Sequence, residues 1–439
     1  MKLTIYHTND IHSHLHEYAR ITEYLAQERP KLNHPSLYLD IGDHVDLSAP
    51  VTEATMGIKN VELLNDAHCD LATIGNNEGM TISHDALNTL YDNAKFDVTC
   101  ANVFDERGQL PNNISSSFIK VIDGVRILFV AATAPFTPFY RALDWVVTNP
   151  LEAIKDEISA NEGAYDLLII MSHVGVFFDE KLCQEIPEID LILGSHTHHY
   201  FENGEFNHGV LMAAAGKYGY FLGEVTLEIE DNVVVHKEAT IHPIEKLPEV
   251  ETHFEAEGKA LLSDAVIDYP IQLPRRTNMI SQTSYMLAES LFEFTNADCT
   301  IINAGLIVQG IDGNQITEYD IHQMLPHPIN AVRIKLSGQE LKQVIIKSQK
   351  QEYFNEHAQG LGFRGDIFGG YILYNLGFIE SESRYFINGE EIDNDGTYIL
   401  GTVDMYTFGR YFPMLKDQAI DYLMPEFLRD IFKEKLLEY

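Results

Sequence analysis

The sequence predicts an α/β protein built in two units, and three observations lead there. Short apolar runs end in polar, chemically capable residues, segments with helical spacing lie between those runs, and the character of the endings changes past the middle of the 439-residue chain. Strands alternating with helices in this way give a sheet covered by helices. With 45% hydrophobic residues the composition is ordinary for a globular protein, and the length suffices for two or three cores.

The opening run, residues 3–6, leads to Thr8-Asn9-Asp10-Ile11-His12. In an extended segment alternate side chains point the same way, so Asp10 and His12 could reach one ion together. Tyr18, Ile21 and Leu25 then make a one-sided helical stripe, and residues 36–41 read as a strand ending at Gly42-Asp43. Residues 70–74 end at Gly75-Asn76-Asn77-Glu78, and Ala86, Leu87 and Leu90 begin another stripe. Strand-like stretches at 121–132 and 221–229 bracket two more endings. These are Ser172-His173 after residues 166–171, and Gly194-Ser195-His196-Thr197-His198 after residues 189–193. In open α/β sheets the carboxyl ends of the strands line the functional crevice, so all these endings are expected to converge.

Residues 247–262 are charged and helical in spacing, with Pro243 and Pro248 before them and Pro270 and Pro274 after, which predicts a connecting helix. The expected organisation is therefore a first domain at 1–245, a linker at 246–272 and a second domain at 273–439. The second α/β unit starts near Ser281, and Thr317 before Glu318 and Asp320, like Ser337 before Glu340, signals a helix start of the capping-box kind.

The formal net charge of −36 opposes association with nucleic acid or an anionic membrane, so neither is an expected partner; a small-molecule phosphate is. Any phosphate substrate then needs bound metal or a local cationic cluster to reverse the field. Cys69, Cys100, Cys183 and Cys299 are scattered and form no C-x-x-C, which predicts buried single thiols. The chain opens directly on a strand pattern without a leader-like segment and has no apolar stretch of spanning length, so a cytoplasmic protein is expected.

Collected, the endings supply Asp10, His12, Asp43, Asn76, His173, His196 and His198, a set too large for one ion. Two cations about 3.5 to 4 Å apart sharing a carboxylate suit it, and such a pair activates water and offsets charge on a phosphoryl group. Nitrogen and oxygen ligands without thiolate leave manganese, zinc, iron or cobalt open.

These endings resemble, in order, the D-x-H, G-D, G-N-H-[DE], H and G-H-x-H pattern of calcineurin-like metallophosphoesterases. With a second α/β domain downstream, the chain resembles more narrowly the 5'-nucleotidase and UDP-sugar hydrolase family. That resemblance implies an N-terminal four-layer αββα sandwich followed by a C-terminal 5'-nucleotidase-type domain. It also implies one ion on Asp10, His12, Asp43 and His198, and another on Asp43, Asn76, His173 and His196. The chain departs from the family at Asn77, where the G-N-H-[DE] histidine is expected, and at Met80, where its pairing aspartate would stand. Asn77, the candidate catalytic residue, could donate a hydrogen bond to a phosphoryl oxygen but could not deliver a proton. His14, His44 and His199 lie near enough in sequence to be considered as substitutes, although each is first expected to be an ordinary hydrogen-bonded histidine.

In the second domain Asn303 and Gly305 resemble part of the family's N-G-G-G-I-R element, with Val308 in place of its arginine, and Arg276 falls near further substrate arginines. Phe368 and Tyr406 are the candidate rings for stacking on a nucleobase, and Arg410 replaces an aspartate of the family's G-G-D-G-Y. The expected function is a dinuclear metal-dependent phosphoester hydrolase acting on a small nucleotide-like phosphate. A cyclic-nucleotide phosphodiesterase, a nucleotide-sugar pyrophosphatase and a weakly active metal- and nucleotide-binding sensor are the alternatives.

Overall fold

Two six-stranded sheets face each other in the first half of the chain, because the strands of each turn an apolar face toward the other. In the computed structural model, which describes all residues except 279, 359, 361 and 439, the first sheet runs Val233–Pro243, Phe221–Glu230, Lys2–Thr8, Ser36–Asp40, Leu71–Thr73, Asp97–Thr99. The second runs Glu205–Asn207, Val210–Ala213, Leu191–Gly194, Leu167–His173, Val125–Thr133, Ser117–Ile122. Leu3, Ile5, Leu37 and Leu39 of the first sheet meet Ile127, Phe129, Ile169 and Leu193 of the second in one buried cluster. The alternate residues of the second sheet, Leu128, Val130, Leu168 and Ile170, turn outward onto the helices Pro150–Ala160 and Val176–Glu185. Outside the first sheet lies Leu15–Glu28, whose predicted stripe Tyr18, Ile21 and Leu25 is fully buried. Helix, sheet, sheet, helix is the layering that the resemblance implied.

The parallel neighbours Lys2–Thr8, Ser36–Asp40 and Leu71–Thr73 in one sheet, and Val125–Thr133, Leu167–His173 and Leu191–Gly194 in the other, finish at the same edge of the sandwich. Their ends therefore gather the predicted polar residues. Glycine makes the approach possible: a Cβ on Gly42 would lie 2.4 Å from the Gly75 nitrogen, and one on Gly75 would lie 2.1 Å from Asp43 Oδ1.

The stretch expected as one strand at 121–132 is a hairpin, Ser117–Ile122 with Val125–Thr133. Asp123 and Gly124, at φ 49° and 88°, form its two-residue turn, so an Asp-Gly pair inside the apolar run breaks it. The four cysteines are buried and free.

The chain divides into residues 1–257 and 258–439. The segment expected as a single connecting helix is composite. It holds a helix Phe254–Leu261 and the strands Ala265–Ile267 and Ile271–Leu273, which pair with Ile316–Thr317 and Ile311–Gly313. The second unit carries a five-stranded sheet, Tyr371–Tyr374, Cys299–Asn303, Thr397–Val403, Asn330–Ser337, Ile420–Phe427, backed by the helices Gln282–Thr295 and Gly338–Gln349. Ser281, Thr317 and Ser337 cap their helices, each side-chain oxygen accepting a backbone N–H three residues on. Among the described residues no helix is long and apolar enough to cross a membrane.

Candidate metal centre

Two clusters form at the strand ends. Asp10, His12 and His198 bring their ligand atoms within 4.8 Å of one another, and so do Asp43, His173 and His196. Asp43 lies between the clusters, its Oδ2 3.7 Å from His12 Nε2 and its Oδ1 3.3 Å from His173 Nε2. In the first cluster Asp10 Oδ1 stands 3.8 Å from His12 Nε2 and 3.6 Å from His198 Nε2, and the two imidazole nitrogens are 3.2 Å apart. Ligands held about 2.1 Å from a common tetrahedral centre would be about 3.4 Å apart, so these separations fit one ion.

The backbone is wound tightly to achieve this. Asp10, His12, Asp43, His196 and His198, five of the seven predicted residues, have φ between 46° and 71°. This left-handed region is uncommon for residues with a Cβ, and such strain collects at functional sites. Side chains from the surrounding loops hold the arrangement. Asp10 Oδ2 accepts hydrogen bonds from Asn9 Nδ2 at 2.8 Å and Ser195 Oγ at 2.7 Å, while Oδ1 faces the cluster. Glu78 accepts from the backbone N–H of Asp43, Val45 and Gly75, tying the second and third strand ends together. His173 Nδ1 sits 2.7 Å from the Ile41 carbonyl, which places the proton there and turns the Nε2 lone pair into the site.

Whether these residues suit metal ions is tested by what they leave unpaired. Asn76 Oδ1 is buried without a hydrogen-bond partner, and His173 Nε2 is buried with no well-formed hydrogen bond, Asp43 Oδ1 standing 3.3 Å away. Buried polar atoms are rarely left so, and both are atoms through which a cation would be held. The charge pattern agrees. Burial works against ionisation of Asp43, yet His173 and His12 hold its carboxyl below the usual range. Burial likewise opposes charge on His173, but Asp43 and Asp10 lift it to about 10. His198 goes the other way, lowered to about 4 by burial against the pull of Asp10, with His12 and Lys217 adding to the effect. An Asp43 carboxylate kept ionised among imidazoles is the donor chemistry that a divalent cation takes.

Profile comparison matches residues 3–200 to the calcineurin-like phosphoesterase family and residues 266–417 to the 5'-nucleotidase C-terminal domain. The uncharacterized metallophosphoesterase YunD of Bacillus subtilis is 37% identical over all of this chain and 99% of its own length. The chain is a metallophosphoesterase of the 5'-nucleotidase family. The trifunctional nucleotide phosphoesterase YfkN of the same organism is 24% identical over 78% of the chain, which spans only 27% of YfkN. Among solved structures, the NAD nucleotidase NadN of Haemophilus influenzae shares the fold at a TM-score of 0.67 and 16% identity, over 100% of this chain and 96% of its own. Members of the calcineurin-like family use two divalent metals, and this metallophosphoesterase has two candidate groups to hold them.

Asn77 is placed differently from the expectation that it faces substrate. Its Nδ2 lies 3.0 Å from the Val45 carbonyl and 3.1 Å from His12 Nδ1, and its backbone N–H donates to Asp43 Oδ1 at 2.7 Å. The side-chain amide is thus turned toward the chain itself. On the far side of His12, Asp46 Oδ2 is 3.4 Å from Nδ1 and buried. Of the substitute histidines, His44 is buried edge-on to Tyr18 and lowered to about 3 by burial and His12, and His199 is hydrogen-bonded with Thr197 Oγ1. His14 is half exposed and stacks on Tyr218 at 4.0 Å.

The metallophosphoesterase's second unit corrects several expectations. Phe368 and Tyr406 are both 0% exposed, so neither offers a ring face to a base. Phe368 stacks on Tyr411 at 4.6 Å, and the Tyr406 hydroxyl donates to Asn303 Oδ1 at 2.8 Å. Asn303 Nδ2 in turn donates to the Phe368 carbonyl at 2.6 Å, so the asparagine braces a loop internally. A Cβ on Gly305 would lie 2.0 Å from the Ile367 carbonyl oxygen, so its close approach is to protein backbone. Arg410 is ion-paired with Glu356, and Arg276 is exposed. Sequence reasoning missed Glu78, Ser195 and Asn9. Glu78 stands three residues after Gly75 in the position of a capping box, which was a readable signal, whereas nothing marked Ser195.

Proposed function

We propose that the chain hydrolyses a small nucleotide-like phosphoester through two divalent ions, one held by Asp10, His12, Asp43 and His198 and the other by Asp43, Asn76, His173 and His196. The observation that carries this reading is the pair of ligand clusters meeting at Asp43. Bound there, the ions supply Lewis-acid charge to the phosphoryl group and lower the pKa of attacking water. The chain's own residues fix the geometry: Asn9 and Ser195 aim Asp10, the Ile41 carbonyl sets the tautomer of His173, and Glu78 locks the Asp43 loop. The relative's name, nucleotide phosphoesterase, supports a nucleotide-like substrate. Buried, unpaired cysteines support a cytoplasmic setting, and the acidic surface supports the absence of nucleic-acid and membrane partners.

Asn77 has no proton to give a leaving group, and a positioned general acid is typically worth 10² to 10⁴-fold. Turnover is therefore expected to fall off steeply as the leaving group worsens. This feature also favours, within the second reading, a nucleotide-sugar pyrophosphate substrate, whose leaving phosphate needs less protonation than the alkoxide expelled from a cyclic phosphodiester. Manganese-loaded protein assayed on nucleoside monophosphates, cyclic nucleotides, nucleotide sugars and p-nitrophenyl phosphate separates the readings. Wild type should turn over p-nitrophenyl phosphate at least tenfold faster than nucleoside monophosphates, and equal rates would remove the leaving-group account. No turnover of any substrate, with metal bound, would sink the hydrolase reading.

A further inference from the structure

The wall of the centre beside Asp10, His12 and His198 is made by a short loop, Gly216-Lys217-Tyr218-Gly219. Three of its four residues have positive φ: Gly216 at 77°, Tyr218 at 59° and Gly219 at 67°. Two glycines explain themselves, but a tyrosine in the left-handed region is an outlier that persists only where the surroundings dictate it. Here they do. The Tyr218 N–H donates to the Asp10 carbonyl at 2.7 Å, the Gly216 carbonyl accepts from Asn9 Nδ2 at 2.6 Å, and the preceding Ala215 N–H donates to Asn9 Oδ1 at 2.9 Å. The loop is thus bolted to the first strand ending through the metal-site residue itself and its neighbour.

What this strain positions is the Tyr218 ring and the cation above it. The ring centroid is 5.7 Å from that of His12 and 6.3 Å from that of His198, and it stacks on His14. Lys217 Nζ sits 4.4 Å from the centroid of the same ring. Among the described residues no carboxylate lies within ion-pair distance of this ammonium, although the chain carries 66 acidic residues against 30 basic ones. A cation paired with none of the described acids in so acidic a protein, and laid instead on an aromatic face beside a phosphate-handling centre, is placed to meet an anion from outside.

We propose that Lys217, seated on Tyr218, is an anion subsite that favours substrates carrying a second negative group, a further phosphoryl or carboxylate, beside the phosphoryl held at the metal centre. The inference rests on the metallophosphoesterase reading of the centre and adds to it a residue that selects among phosphates. An ammonium contacts such a group as a point charge, so arginine can replace it and alanine cannot.

The test is calorimetric binding of two non-hydrolysable probes to the manganese-loaded full chain: methylphosphonate, with one anionic group, and methylenediphosphonate, with two. Wild type should bind the diphosphonate more tightly. Lys217→Ala should weaken the diphosphonate about tenfold and methylphosphonate less than twofold, and Lys217→Arg should restore the diphosphonate to within threefold of wild type. Equal loss of both probes, loss of neither, or a wild type that does not prefer the diphosphonate would each overturn the subsite. Because binding and not turnover is read, a protein that shows the Lys217-dependent preference but hydrolyses no ester retains the subsite and loses only the hydrolase reading.

Discussion

At the residue scale the centre depends on groups that never touch a metal. His12 has Asp46 Oδ2 at 3.4 Å from Nδ1, on the side opposite its Nε2 neighbours, and Asp46 is buried. A carboxylate behind a ligating imidazole fixes its tautomer and raises its basicity. Asp46→Asn should therefore weaken manganese binding about 10- to 100-fold, read as metal retained per chain in a chelator series, with little change in circular dichroism. An unchanged metal content would show that Asn77 alone suffices to orient His12. Six of the seven candidate ligands, all but Asn76, meet in the two clusters, and they were legible because metal sites use few residue types and strand ends present them in order. Of the orienting groups Glu78 carried a capping-box signal, whereas Ser195 and Asn9 look like any polar loop residue until the strands are assembled. Phe368 and Tyr406 failed for a related reason: a ring next to glycine is equally at home on a rim or in a core, and only burial distinguishes them.

At the element scale, one strand ending in the second unit should set a pH dependence. Asp404 follows the strand Thr397–Val403; its Oδ2 accepts from the Asn330 N–H at 3.0 Å while Oδ1 is buried without a partner. Burial lifts its carboxyl to about 7, opposed only by backbone N–H groups. The folded state then binds a proton that the unfolded chain releases near pH 4, so stability falls as pH rises from about 4 to about 7 and is level above that. The total is on the order of 4 kcal/mol. Urea unfolding of wild type and Asp404→Asn at pH 5 and pH 8 should show the wild type losing stability over this interval and the variant losing much less of it. Parallel losses would remove Asp404 as the cause. Element types followed well from periodicity and caps, as Leu15–Glu28 and the Ser337 start show. Boundaries inside continuous apolar or charged runs did not: at Asp123-Gly124 a local turn pair was passed over inside an apolar run, and the strands after Phe254–Leu261 are decided by pairing partners distant in sequence.

At the scale of the whole molecule each unit has its own buried cluster, one between the two sheets and one under the five-stranded sheet. A metal bound only by the first unit stabilises that unit by mass action, about 2.7 kcal/mol at a hundredfold excess over Kd. Scanning calorimetry with and without chelator should accordingly move the transition of residues 1–257 downward and leave that of residues 258–439 in place. A uniform shift would mean that the units unfold as one. Five of the proposed ligands sit in a backbone conformation that glycine would adopt more readily. Loop tension of this kind is a standing local instability, present in every newly made chain before any ion arrives. Variants selected only for heat resistance would be drawn to relieve it, and would grow sturdier while becoming empty.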